Sequence, residues 1–171
     1  SVLTPVFLQR VGKGEDLIPV LEKATGLIAL TFGWGVAAIS LSLAPVLGLL
    51  WPHLITSVLA CKLALLGTYP YVLTGPVSTV YFASNRQGPQ VILVFAATAF
   101  AFAAAWIGVR ATGTIAGAAG GTAVGMYVYY VITALGAFRI CGRSWATAIA
   151  FLARTLFPIV VATAVVIGLS Y

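Results

Sequence analysis

The sequence predicts an all-α integral membrane protein, and its composition and the pattern of its apolar residues predict that class. Apolar residues make up 61% of the 171 residues and charged residues only 7%, and the mean hydropathy is +1.10, whereas soluble domains carry about 25% charged residues. A soluble domain of this length has too much surface for so few charges to cover, so the surplus apolar surface is expected to face lipid. The long apolar runs do not alternate in polarity, which argues against a transmembrane β-barrel.

Polar interruptions divide the chain into five apolar segments, each long enough to cross a bilayer, which takes ~20 residues. The segments cover residues 25–50, 54–83, 91–109, 114–138 and 145–170. Because the connections between them are short, the sequence predicts an antiparallel bundle. Residues 9–24 are predicted to form a loop and the start of the first helix, with Asp16 or Glu15 near the helix N-terminus.

The two ends of the chain suggest a longer protein. Residues 1–8 are apolar but too short to span, so we expect them to end a preceding transmembrane helix. The chain begins at Ser1 and lacks the basic and apolar regions of a signal peptide, which indicates either processing or, as we favour, a C-terminal fragment. Residues 25–138 would hold four spans, residues 139–144 a basic loop, and residues 145–171 an additional C-terminal span.

Basic residues predict the orientation. The loops 9–23, 84–90 and 139–144 carry six of them: Arg10, Lys13, Lys23, Arg86, Arg139 and Arg143. The loops of the opposite side carry only Arg110. By the positive-inside rule the first group is cytoplasmic and the C-terminus lies outside, in a multi-pass protein of the cytoplasmic membrane. The net charge of +6 then reflects topology and attraction to anionic membrane lipids, and no nucleic-acid partner is expected.

Two cations are left within predicted spans. Lys62 lies ~13 Å and Arg154 ~15 Å into its span, at a cost of about 2.5–3.5 kcal/mol each. Since no Asp or Glu lies in any span, both are predicted to face a polar cavity, where the counter-charge would come from an absent part of the chain, an anionic lipid or an anionic substrate. Snorkelling to the interface or capping of backbone carbonyls is the structural alternative. Tyr69 falls on the same helical face as Lys62, two turns away, and joins the predicted substrate-binding residues.

Prolines within the spans predict bends. Pro45, Pro70 and Pro76 each remove a backbone hydrogen bond and are candidate hinges. Pro158 is expected to bend the last helix four residues after Arg154. Broken helices that carry a charge recur in transporters, although proline kinks also occur in purely structural spans.

Glycines repeat at every fourth residue around the fourth span, at Gly113, Gly117, Gly121 and Gly125. This spacing leaves one helix face without side chains over three turns, so another helix can approach closely. We interpret the repeat as a helix-packing seam, with a groove lining for substrate as the alternative.

The acidic, histidine and cysteine residues are not placed where they could form a catalytic or metal site. The three acids all lie within residues 15–22, so no carboxylate in a span can hold Mg²⁺. His53, Cys61 and Cys141 are the only good zinc ligands, and the predicted topology separates Cys141 from His53 by a membrane. The two cysteines imply no disulfide. We therefore expect no enzyme activity, metal or cofactor.

The order of these features resembles a transporter family. A tail with Pro5, the loop QRVGKGEDL, and a long span that ends in SLAPVLGLLWP come first, followed by ASNRQGPQ, GTIAGAAGGTAVG and RICGR. This order resembles the second half of the oligosaccharide-lipid and polysaccharide flippases, which belong to the multidrug and oligosaccharidyl-lipid exporter superfamily. The resemblance covers essentially all 171 residues.

The resemblance implies two six-helix lobes around a central cavity, of which this chain would supply part of the C-terminal lobe and one added helix. The missing N-terminal lobe would be its partner. A cationic cavity would accept a polyprenyl-diphosphate-linked oligosaccharide and move it to the outer leaflet, with Lys62, and less directly Arg154, at the anionic headgroup. The alternatives are a multidrug exporter of the same superfamily and a scaffold or assembly subunit that docks a partner span on the glycine seam.

Overall fold

Five long helices make up almost all of the computed structural model, which describes Gln9 and residues 16–168. They are α1 (Ile18–Leu50), α2 (Val58–Ala83), α3 (Gln87–Thr112), α4 (Ile115–Ile140) and α5 (Trp145–Gly168). A short 3₁₀ helix (Pro52–Ser57) precedes α2, and no strand occurs among the described residues. All five α-helices are long and apolar enough to cross a membrane, which indicates a multi-pass membrane protein. The predicted helix end at residues 1–8 and the candidate cap Glu15 lie outside the described residues.

The first helix begins seven residues before the apolar segment that predicts it. Asp16 Oδ1 accepts a hydrogen bond from the Ile18 backbone N–H at 3.1 Å, and Pro19 occupies the first turn, where a proline is well tolerated. This confirms the prediction that Asp16 lies at the helix N-terminus. The charged residues Glu22 and Lys23 consequently belong to α1 rather than to the preceding loop.

The second span is not a regular α-helix from residue 54. The backbone of Trp51 leaves the helical region at φ −141°, and the 3₁₀ helix that follows has no buried residue. Regular α-helix begins only at Val58, so Lys62 lies in the first turns of α2. The tighter 3₁₀ turn is a common connector between longer helices.

Four helices form a closed ring and the fifth lies outside it. Each of α1, α2, α4 and α5 contacts two neighbours, in the order α1, α2, α4, α5 and back to α1. The largest fully buried side chains inside this ring are Tyr69, Tyr81, Tyr130 and Phe138. Helix α3 packs on α4, touches α2 only slightly and exposes most of its large apolar residues.

The glycine repeat is the contact between α3 and α4. An added Cβ would collide with the backbone of Gly108 at Gly117 and with that of Ala104 at Gly121. At Gly125 it would collide with Ala101, so the partner residue number falls as the number along α4 rises. The predicted close approach is thus present within the chain, through backbone-to-backbone packing.

Gly113, the first glycine of the repeat, has another role. Its φ is +65°, a left-handed conformation that ends α3, and nothing lies within 4 Å of the position of an added Cβ. It therefore terminates a helix rather than packing against one.

One end of the ring is marked by an ion pair. The Arg143 guanidinium donates to the Asp16 carboxylate, so the loop between α4 and α5 lies beside the start of α1. We call this the ion-pair end and the opposite one the Trp51 end. Burial and the nearby Asp16 carboxylate raise the pKa of the Cys141 thiol here, while Arg143 opposes the rise.

Candidate functional site

Lys62 stands in a groove between α1, α2 and α5. The groove has a volume of about 560 Å³, and Lys62 is its only charged residue. Its lining is mainly apolar, and only two side chains besides the lysine, Ser40 and Thr163, are polar. The full lining consists of Val36, Ala37, Ser40, Leu59, Lys62, Leu63, Leu66, Ile159, Ala162, Thr163 and Val166. Lys62 is half-buried, and the groove that it lines is formed almost entirely by hydrocarbon.

No carboxylate reaches this lysine from the described part of the chain. The acids described are Asp16, which pairs with Arg143, and Glu22. Glu22 is fourteen residues from the groove residue Val36 on the same helix, or ~21 Å. A cation in a low-dielectric groove without a partner is costly, so the groove suits an anionic ligand.

Lys62 lies nearer to the start of α2 than to its end. Lys62 is twenty-one residues from Ala83 at the other end of α2, which corresponds to ~31 Å. The groove residue Ser40 on α1 is a similar ~33 Å from Ile18. The groove thus lies in the third of the bundle next to the Trp51 end rather than at its middle, because regular helix begins at Val58.

A layer of buried hydroxyl groups lies below the groove. Tyr69 is fully buried, and its hydroxyl donates to the carbonyl oxygen of Thr155 at 2.5 Å and, at 3.3 Å, to that of Ala29. The hydroxyl of Tyr130 lies 2.6 Å from Thr155 Oγ1. These contacts, which we call the tyrosine layer, join all four helices of the ring and close its interior.

Tyr69 consequently does not line the Lys62 groove, although a substrate-binding role beside Lys62 would require it to do so. Both side chains are on the face of α2 that meets α1 and α5, but about two turns separate them, and the helices are in close contact at Tyr69. Sequence reasoning did not identify Thr155 or Tyr130 as members of this layer. A buried Thr and a buried Tyr in apolar helices leave no periodic signal in the sequence.

A second cavity of about 720 Å³ lies between α2, α4 and α5. Leu63, Leu66, Ile159 and Thr163 line both cavities, so they form the wall between them. Tyr127 lines the second cavity only. The half of the ring near the Trp51 end is therefore loosely packed, while the half beyond the tyrosine layer is closed.

The predicted hinges fall inside helices that continue past them. Pro45 lies in α1 and is exposed, whereas Pro70 and Pro76 are buried in α2. Pro158 packs against α1, since a Cβ added at Gly33 would lie 3.3 Å from the Pro158 side chain. Pro158 follows Thr155 by three residues, so the backbone hydrogen bond that a proline cannot donate is missing close to the tyrosine layer.

Arg154 lies apart from the Lys62 groove. Its side chain is exposed on α5, and it lines neither cavity described above. It is nine residues from Trp145, or ~13 Å along the helix, at the level of the tyrosine layer. The structure thus does not bring the two predicted substrate-binding cations together.

No protein-family model, curated protein or solved structure matches this chain. The Lys62 groove and the tyrosine layer are therefore interpreted from their own chemistry.

Proposed function

We propose that the chain is part of a flippase that moves a polyprenyl-diphosphate-linked oligosaccharide across the cytoplasmic membrane for surface polysaccharide biosynthesis. The observation that carries the proposal is the position of Lys62, the single charge in an otherwise apolar groove that no carboxylate of the described chain reaches. The sugar and the polyprenyl carrier come from the family resemblance.

The chemistry of the groove suits an anionic amphiphile. An ammonium forms strong, charge-assisted hydrogen bonds with diphosphate oxygens, and a low-dielectric surrounding strengthens them. The aliphatic side chains from α1, α2 and α5 offer a surface for an isoprenoid chain. Ser40 and Thr163 add hydroxyl groups within the same groove for further phosphate or sugar oxygens.

The uneven packing of the ring suits alternating access. In this proposal the helices are antiparallel, the ion-pair end is cytoplasmic, and the groove opens to the outer side while the tyrosine layer closes the inner side. A second lobe would complete the cavity, and transport would require a state with the inner side open. Arg154 would contact that lobe or lipid and would not bind the headgroup.

The test is substitution of Lys62 in the complete transporter, in cells whose surface polysaccharide depends on it. We expect Lys62→Ala to lower export at least ten-fold and Lys62→Glu to abolish it, because the carboxylate repels the diphosphate. Lys62→Arg, which keeps the charge, should retain most of the activity. Lys23→Ala removes an exposed cation near the ion-pair end and is the matched control.

Export at the wild-type level by both Lys62→Ala and Lys62→Glu, at equal protein abundance, would reject the proposal. Drug resistance that follows Lys62 while polysaccharide export does not would identify a multidrug exporter instead. The scaffold alternative loses its docking surface in this fold, since α3 of the same chain covers the glycine seam.

A further inference from the structure

A long furrow follows α2 on the outside of the ring. Its other wall is α4 near the Trp51 end, α3 and α4 in the middle, and α3 near the ion-pair end. Three cavities trace it, with volumes of about 390, 450 and 230 Å³ from the Trp51 end to the ion-pair end. The first two share Tyr71 and Met126, and the last two share Val94, so the three cavities adjoin one another. We call this feature the α2–α3 furrow. It lies outside the ring and shares no lining residue with the Lys62 groove.

The middle of the furrow carries hydroxyl groups that have no partner. Tyr71, Ser78 and Tyr129 line it, and none of their hydroxyls forms a hydrogen bond within the described part of the chain. Thr74 and Thr98 also line it, but they donate to carbonyls of their own helices. The three unpartnered hydroxyls are half-buried or exposed, so a ligand can reach them.

A backbone carbonyl adds to these groups. Pro76 has no N–H, so the carbonyl of Val72, four residues earlier and in the same lining, loses its helical donor. At the ion-pair end, Gln90 lines the furrow, is only 8% exposed, and has no hydrogen-bond partner for Oε1. Unsatisfied polar groups at the depth of a bilayer are costly, which indicates a polar occupant.

The furrow changes from polar to apolar along its length. Its part near the Trp51 end is lined by small and apolar residues such as Ala64, Gly67 and Ala123. Thr122, which also lines this part, donates its hydroxyl to the Ala118 carbonyl of its own helix. No charged side chain lines any of the three cavities. This gradient matches a lipid whose headgroup lies toward the ion-pair end.

We propose that the α2–α3 furrow binds a lipid with an uncharged, hydroxyl-rich headgroup, such as a neutral glycolipid of the leaflet at the ion-pair end. The headgroup hydroxyls bond to Ser78, Tyr129 and Tyr71 and donate to the Val72 carbonyl. The hydrocarbon chain extends toward Gly67. An anionic headgroup finds no cation in the furrow, and a bare acyl chain leaves its hydroxyls unpaired. The site does not depend on the function proposed for Lys62.

The test uses the whole chain in phosphatidylcholine nanodiscs and a photoreactive dodecyl β-glucoside whose diazirine is on the alkyl chain. We expect the diazirine to label the apolar part of the furrow, at residues 64–68 and 119–123, as mapped by peptide mass spectrometry. Excess unlabelled dodecyl β-glucoside should compete. A dodecyl phosphate with the same diazirine should label these residues at least five-fold less.

Removal of single hydroxyls tests the polar contacts. Tyr71→Phe, Ser78→Ala and Tyr129→Phe should each weaken competition by the unlabelled glucoside about five-fold. Tyr127→Phe removes a hydroxyl from the same helix but outside the furrow, and should have no effect. Pro76→Ala, which returns a donor to the Val72 carbonyl, should also weaken binding.

Any of three results would overturn the proposal. The phosphate probe could label the furrow as strongly as the glucoside probe, or excess glucoside could fail to reduce the labelling. The variant that combines Tyr71→Phe, Ser78→Ala and Tyr129→Phe could also bind the glucoside as the wild type does. Thermal unfolding of each purified variant separates lost binding from lost structure, and the conservative Tyr→Phe changes keep the rings in place. Loss of export in the Lys62 variants with glucoside binding intact would show that the two sites are separate.

Discussion

The hydroxyl of Tyr69 joins three helices at one point inside the ring. It donates from α2 to a carbonyl of α5 at 2.5 Å and, more weakly, to one of α1 at 3.3 Å. Removing it in Tyr69→Phe leaves the ring packed but the Thr155 carbonyl without this donor. We expect a loss of about 1 kcal/mol in the free energy of unfolding, measured by reversible denaturation in mixed micelles.

The control for this residue is Tyr71→Phe, two positions along the same helix. Tyr71 is 60% exposed and its hydroxyl bonds to no described residue, so the change should alter the free energy of unfolding by no more than about 0.5 kcal/mol. Equal losses for both variants would mean that the hydrogen bond at Tyr69 contributes nothing specific. Tyr69 also shows the limit of spacing arguments: helical periodicity correctly gave it the face of Lys62, but not the point along that face where the helices close.

Helix α3 is held to the ring almost solely by its seam with α4. Because a Cβ at Gly121 would meet the backbone of Ala104, Gly121→Ala should force the two helices apart. We expect it to lower the free energy of unfolding by about 1–3 kcal/mol. Gly120→Ala is the matched control, since the Cβ there would lie 3.7 Å from the nearest atom, in the Leu63 side chain. A loss for Gly120→Ala as large as that for Gly121→Ala would contradict the packing described.

The sequence predicted all five helices but not how their faces pair. Each segment is long and apolar, so hydropathy alone located the spans. The apolar segment was predicted from residue 25, and the helix start before it only through the cap candidates Asp16 and Glu15, because the first turns of α1 carry Glu22 and Lys23, which lower the local hydropathy without preventing a helix. Which face of each helix packs against which neighbour was not predictable, because a helix that is apolar on all sides gives no periodic signal. Only the glycine repeat predicted a contact between helices, and it did not identify α3 as the partner of α4.

At the scale of the whole molecule, the Asp16–Arg143 ion pair places two of the basic loops at one end. The positive-inside count had assigned residues 9–23 and 139–144 to the same side. Tyr81, close to the end of α2, donates to the Thr133 carbonyl in the second half of α4, so α2 ends near the same side as α4. Both side chains of the ion pair are nearly half exposed, so the pair contributes little stability.

This arrangement predicts the membrane topology. In a chain with Cys61 and Cys141 replaced by Ser, a single cysteine at Gln87 or Ser144 should react with a membrane-impermeant maleimide only when the cytoplasmic side is exposed. A cysteine at His53 should react in intact cells, because all three positions are exposed in the fold and His53 lies near the Trp51 end. Three helices, α2, α3 and α4, lie between positions 53 and 144, so reaction of both positions from the same side would mean that these helices do not cross the membrane three times. It would also remove the outward opening of the Lys62 groove. Reaction from opposite sides, but with position 53 on the cytoplasmic side, would agree with the fold and reverse its orientation in the membrane. The Lys62 groove would then open to the cytoplasm.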